Sequence, residues 1–315
     1  MMMVRAEDPD ETILRAGGRW DKLEQRFVAD ELVDRCLLIP LAESQLDYVR
    51  WFAGELRAYR AGYPRTVRLA LAAGDRRGGK TFATFFCVLA ALLDVPRDSK
   101  GSPSLGWIIS RTYRERDELD QLVRNWIPRN WYHFQAREHR YTFRHGSYFR
   151  NLSADDPEAL RQGRVDWLLY NEGQKVSPRA IVNGLFGTAD RAGLTILAAN
   201  PPSDPSQEWL SDLKEAIDDD ERFKGVSVFF NFESRRNAFI DQPARRDVAL
   251  IADKILPERS AADAEGIWQR WGDLAYPEWS NLRLWRTLDK GGAIGPPPVI
   301  GAADITYQVT RRELG

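Results

Sequence analysis

The octapeptide Gly74-Asp75-Arg76-Arg77-Gly78-Gly79-Lys80-Thr81 has the spacing G-x-x-x-x-G-K-[ST] of a phosphate-binding loop. Glycines let the backbone curl until successive N–H groups, and the start of the next helix, point at one phosphate chain. The helix dipole there also favours negative charge. With Gly74, Gly78 and Gly79 shaping such a loop, Lys80 reaches the β- and γ-phosphates and the Thr81 hydroxyl ligates Mg²⁺. A Gly-rich turn that merely caps a core helix is the competing reading, and the flanking elements separate the two.

The apolar run 69–73 reads as a strand entering the loop. Residues 82–93, apolar nearly all round, read as a helix leaving it and buried on several sides. After a Ser/Gly/Pro loop, 105–110 reads as a second buried strand and 112–126 as an amphipathic helix. Strand, helix, strand, helix predicts a parallel sheet. The expected fold class is α/β: a P-loop NTPase with a mainly parallel central sheet flanked by helices, plus a helical lid subdomain.

A second chemical constellation ends the run 165–172, where Trp167, Leu168, Leu169 and Tyr170 precede the polar pair Asn171-Glu172. A buried strand with this ending carries a metal-site residue and then a carboxylate to the edge of the sheet. Glu172 there acts as general base on the attacking water. Asn171 holds a metal-bound water by a hydrogen bond but brings no negative charge, which predicts weaker Mg²⁺ coupling and slow hydrolysis. The alternative is a polar pair that simply caps a core strand.

Two more polar residues stand at suggestive places. The strand 194–199 ends at Asn200 before Pro201-Pro202, and Asn200 either senses the γ-phosphate or only forms the turn before proline. Gln45 lies near the start of a helical stretch, 41–52, upstream of the loop; it either reads the adenine edge or is solvated.

Composition narrows the class of protein. With 43% hydrophobic and 29% charged residues in 315, the chain is an ordinary globular protein with ample length for a core. A net charge of -1 supplies no global field toward nucleic acid, so any DNA contact is local. The two cysteines, Cys36 and Cys87, lack a C-x-x-C partner and read as buried free thiols. The first thirty residues are charged throughout and the longest apolar run, 85–93, has nine residues, so neither signal peptide nor membrane span is expected.

From 121 to 150, six Arg stand against one Glu, a balance of +5, among aromatics. That mixture suits phosphate contacts or a subunit surface, while 141–147 also reads as a plain β-hairpin with a solvated face. The histidines at 133, 139 and 145 show no convincing ligand spacing. Beyond Pro205 the pattern turns helical and Trp-rich, and 218–221 reads as a solvated acidic loop. Residues 291–298 form the clearest linker, before a new strand that includes Asp304.

In this order of parts the sequence resembles the large terminase subunit of tailed double-stranded DNA phages, the ATPase that pumps DNA into a procapsid. The resemblance covers about residues 41–315. It rests on the Arg-bearing phosphate loop, on 141–152 followed by Asp155-Asp156 and Leu160-Arg161-Gln162-Gly163, on the strand to Glu172, and on 197–202.

The resemblance implies roles for residues the motifs leave unassigned. Arg76, four residues before Lys80, contacts the γ-phosphate within its own subunit. Arg161, eleven residues before Glu172, reaches a neighbour's site, with Arg164 as the alternative. Guanidinium groups there neutralise charge during phosphoryl transfer. ATP and Mg²⁺ are the implied cofactors. Implied partners are double-stranded DNA, further copies in a homo-oligomeric ring (a pentamer), a portal protein and a small terminase subunit. The implied place is the cytoplasm of an infected bacterial host, transiently on the procapsid.

The segment 198–200 lacks the small hydroxyl residues common in this family. Asp304 resembles the first carboxylate of an RNase H-like nuclease, and one carboxylate cannot hold two metals, so no nuclease activity is expected. The expected organisation is a lead-in at 1–40, the ATPase core at 41–205, a lid at 206–290, the linker at 291–298 and a truncated nuclease strand at 299–315. The rival functions are another P-loop translocase, helicase or kinase, and a nucleotide-binding assembly subunit with little hydrolysis.

Overall fold

In a computed structural model the described residues run from 42 to 268, apart from 61, 62, 64, 95–102, 128, 144, 145 and 162. The lead-in with Cys36, the linker 291–298 and the strand with Asp304 lie outside them.

Eight strands form one sheet in the order β3-β4-β5-β2-β6-β7-β1-β8. Strands β1 (Leu69–Gly74), β2 (Leu105–Ser110), β5 (Tyr148–Ser153), β6 (Trp167–Tyr170), β7 (Leu194–Ala199) and β8 (Ser227–Phe232) pair in parallel. β3 (Tyr132–Gln135) and β4 (Arg140–Phe143) add an antiparallel end. Because β1, β6 and β7 are covered on both faces, they are apolar at nearly every position instead of alternating.

Alternation reappears in which core each residue joins. Ala70, Ala72, Ile108, Leu169 and Ile196 pack on one side, against Tyr48, Phe52 and Leu56 of α1 (Glu43–Arg60) and Phe85 to Leu92 of α2 (Lys80–Asp94). Leu71, Ala73, Ile109, Leu168, Tyr170 and Leu197 pack on the other, against α4 (Pro178–Ala189) and α5 (Glu208–Asp219). Helix α3 (Tyr113–Trp126) follows β2 and is capped by Thr112, whose Oγ1 accepts from Glu115 N. Cys87 is a buried free thiol, as expected.

The Arg-aromatic stretch 121–150 spans the end of α3 and the strands β3, β4 and the start of β5, with β4 antiparallel to both its neighbours. Tyr141 and Phe149 are opposite each other in register and stack at 4.7 Å, while the Arg140 guanidinium lies over the Tyr148 ring at 4.1 Å. His139 differs from a scattered surface histidine: its Nδ1 stands 3.4 Å from buried Asp120 Oδ2, with Asp117 close by.

The reading of 206–290 as helical needs correcting. Residues 227–232 form β8, which pairs along the whole of β1, so the sheet continues past the boundary expected at 205. Helices α6 (Gln242–Ile255) and α7 (Pro257–Glu265) follow it. No described helix is long and apolar enough to cross a membrane.

Candidate active site

The octapeptide forms the turn between β1 and α2. Gly74 has φ +148, and a Cβ there would lie 2.1 Å from Phe232 O, so β8 can pair alongside only because residue 74 has no side chain. Gly79 has φ +90 and lies against Gln45.

Backbone groups of the loop are gripped from three sides. Ser44 Oγ donates to Gly78 O at 3.1 Å and Gln45 Nε2 to Gly79 O at 3.0 Å, while Gln45 Oε1 accepts from Ala42 N. Asn237 Nδ2 donates to the carbonyl of Arg77, which has φ 66. Asp75 is buried and accepts from Ser234 N (2.6 Å) and Ser234 Oγ (2.7 Å), with Arg245 of α6 at 3.5 Å. Gln45 is therefore neither solvated nor free: it braces the loop from α1.

Lys80 is buried, its ammonium donating to Gly74 O (3.0 Å) and Asp75 O (2.5 Å). Burial pushes its pKa down to about 8, against the opposing charges of Glu172, Asp75 and Asp263. Thr81 Oγ1 donates to Asn171 Oδ1 at 2.8 Å, which joins the start of α2 to the end of β6. The two candidate metal-site residues thus meet across the sheet edge. Their oxygens, one hydroxyl and one amide carbonyl, with a carboxylate on the next residue, are the hard donors that Mg²⁺ takes alongside water and phosphate.

Glu172 has φ 54 and ψ 46, a left-handed conformation that costs a non-glycine residue about 1–3 kcal/mol. Burial pushes its carboxyl up, but the Lys175 ammonium, the Gln174 amide and the Lys80 charge outweigh it, and the net shift is downward. Gln174 also accepts from Asn200 N at 3.1 Å, and Asn200 Nδ2 reaches toward Asp263 Oδ1 of α7 at 3.5 Å. Asp263 Oδ2 in turn lies 3.4 Å from Arg76 Nε, and its carbonyl accepts from Arg76 N. Asn200 is buried within this chain of contacts and does more than form a turn.

A cleft of about 630 Å³ opens between the loop and α3, lined in part by Arg76, Thr81, Arg114, Glu115, Asn171, Glu172 and Lys175. Arg161 and Arg164 do not line it. Arg161 pairs with Glu158 at 3.0 Å and Arg164 with Asp190 at 3.1 Å, both on the exposed surface. Sequence reasoning missed Lys175, Gln174, Arg114, Glu115, Asp263 and the Asp75–Ser234–Arg245 cluster. Only the adjacency of 174 and 175 to Glu172 offered a signal.

A glycine-rich turn between a buried strand and helix, with a second strand bringing Asn171 and Glu172 beside it, defines a P-loop NTPase fold. More narrowly, it is the fold of large terminase ATPase domains. The ATPase domain of a Thermus phage large terminase superposes with a TM-score of 0.53 at 18% identity, covering 74% of this chain and 96% of that one. The large terminase of a thermophilic bacteriophage gives 0.52 at 12% identity, covering 73% of this chain and 54% of that one. For the large terminase of bacteriophage HK97 the values are 0.51 and 12%, covering 82% and 52%. The chain thus spans about half the length of these last two proteins. No family model matches it, and no curated protein does.

Proposed function

We propose that this chain is the ATPase portion of a large terminase, hydrolysing ATP with Mg²⁺ and coupling the cycle to movement of double-stranded DNA into a procapsid. The observation that carries the reading is the Thr81–Asn171 contact at 2.8 Å, with the adjoining Glu172 lining the same cleft. It supports a metal and a water held beside the phosphates that the loop and Lys80 receive. Bound Mg²⁺ would neutralise phosphate oxygens and hold the triphosphate in line. Glu172 takes a proton from the attacking water, and Arg76, once released from Asp263, neutralises the γ-phosphate.

Arg161 and Arg164 stand on the exposed surface away from the cleft, a placement suited to completing a neighbour's site in a homo-oligomeric ring. Duplex DNA, a portal protein and a small terminase subunit are the partners this role requires, in the cytoplasm of an infected host. Asn171 favours a second reading, a nucleotide-binding subunit that hydrolyses little, because a neutral amide accepts the Thr81 hydroxyl where a carboxylate would draw the metal more strongly.

The test is Mg²⁺-dependent phosphate release by the purified chain, with and without duplex DNA, over a range of protein concentrations. Release that rises steeply with concentration and is lost in Lys80→Ala supports the motor. Tight ATP binding with no release under any of these conditions supports the second reading.

A further inference from the structure

Glu172 is held by two donors that reach the same atom. Lys175 Nζ lies 3.0 Å and Gln174 Nε2 2.9 Å from Oε2, and Oε1 accepts nothing from the described residues. The backbone explains how two donors, two and three residues further on, reach one atom. Glu172 turns left-handed, and Gly173–Lys175 then form one 3₁₀ turn, in which side chains three apart eclipse. Lys175 is anchored again from α3, where Glu115 Oε1 stands 3.5 Å from its ammonium. Gln174 is likewise tied at its other end to Asn200 N. With both donors on one oxygen, the lone pairs of the other keep one direction.

We propose that Lys175 is a positioning residue for the general base: buttressed by Glu115, it clamps Glu172 through Oε2 and presents Oε1 to the attacking water. The inference rests on the ATPase reading above. In the reaction the water oxygen bonds the γ-phosphorus and the bond to the β–γ bridging oxygen breaks. One water proton passes to Oε1 and on to solvent. Lys175 neither gives nor takes a proton. A bare structural salt bridge is the alternative, and a partly exposed pair of this kind contributes little to stability.

Kinetics of Lys175→Met, Lys175→Arg and Glu115→Gln separate the two, read beside binding of a fluorescent ATP analogue. The clamp predicts that Lys175→Met lowers kcat by about 10- to 100-fold, the cost of misplacing a reacting group, with KM and analogue affinity within roughly threefold of wild type. Lys175→Arg restores most of the rate, and Glu115→Gln loses less than Lys175→Met. An unchanged kcat in Lys175→Met, or a parallel loss of analogue binding, overturns the proposal. Crystal structures of wild type and Lys175→Met with Mg²⁺ and a non-hydrolysable ATP analogue decide the matter even if wild type releases no phosphate. That failure would defeat the ATPase reading, whereas one unchanged Glu172 orientation in both structures would defeat the clamp.

Discussion

The two walls of the cleft are built from different kinds of contact. On the phosphate-loop wall, Ser44, Gln45 and Asn237 donate to loop carbonyls, and the Asp75 carboxylate is buried against Ser234. Across the cleft, Glu172, Lys175 and Glu115 hold one another by charge, with side chains 25%, 28% and 22% exposed. Buried hydrogen bonds to backbone fix a shape and are expensive to break, whereas partly exposed charge pairs contribute little to stability. The first wall is held for its shape; on the second, the grip on Glu172 Oε2 fixes an orientation with little gain in stability.

The comparison makes ordered predictions about stability. Asp75→Ala strands Ser234 N–H and leaves Arg245 without its buried counter-ion, so urea unfolding should show a loss of about 3–5 kcal/mol. Gln45→Ala removes one buried donor and one acceptor and should cost less, about 1–3 kcal/mol by the same measurement. Lys175→Met, on the other wall, should move the unfolding midpoint least. If it destabilises as much as Asp75→Ala, the distinction between the walls collapses.

A smaller effect concerns protons. In the free protein Lys80 is half deprotonated at about pH 8, and a bound triphosphate favours the ammonium. ATP binding should therefore take up a proton above that pH, and affinity should fall as pH rises through it. Calorimetry in buffers of different ionisation heat would detect the uptake. Equal heats in all buffers at pH 8.5 would contradict the buried, depressed ammonium.

Legibility in the sequence followed the range of the interactions. The loop, the strands read at 69–73 and 194–199 and the amphipathic helix at 112–126 were readable because period and motif are local. Strand β8 was not. It is an edge strand whose residues are mostly half-buried, so 227–232 lacks the continuous apolar run of β1, and its place is set by pairing with a strand more than 150 residues earlier. Glu172 was legible as the candidate base, but its left-handed backbone and the convergence of two donors on Oε2 follow from geometry that residue types do not encode. Asp263 meets Arg76 and Asn200 only because α7 folds back over the loop. No periodicity within 257–265 announces that.

The most direct test is a single-turnover experiment with protein in excess of ATP and Mg²⁺, comparing wild type with Glu172→Gln. Glu172 as general base predicts that the variant binds ATP about as tightly as wild type yet releases phosphate at least about 100-fold more slowly. Equal single-turnover rates would contradict the account, because the carboxylate adjoining Asn171, on the cleft that Thr81 and Asn171 also line, would then have no part in the chemistry.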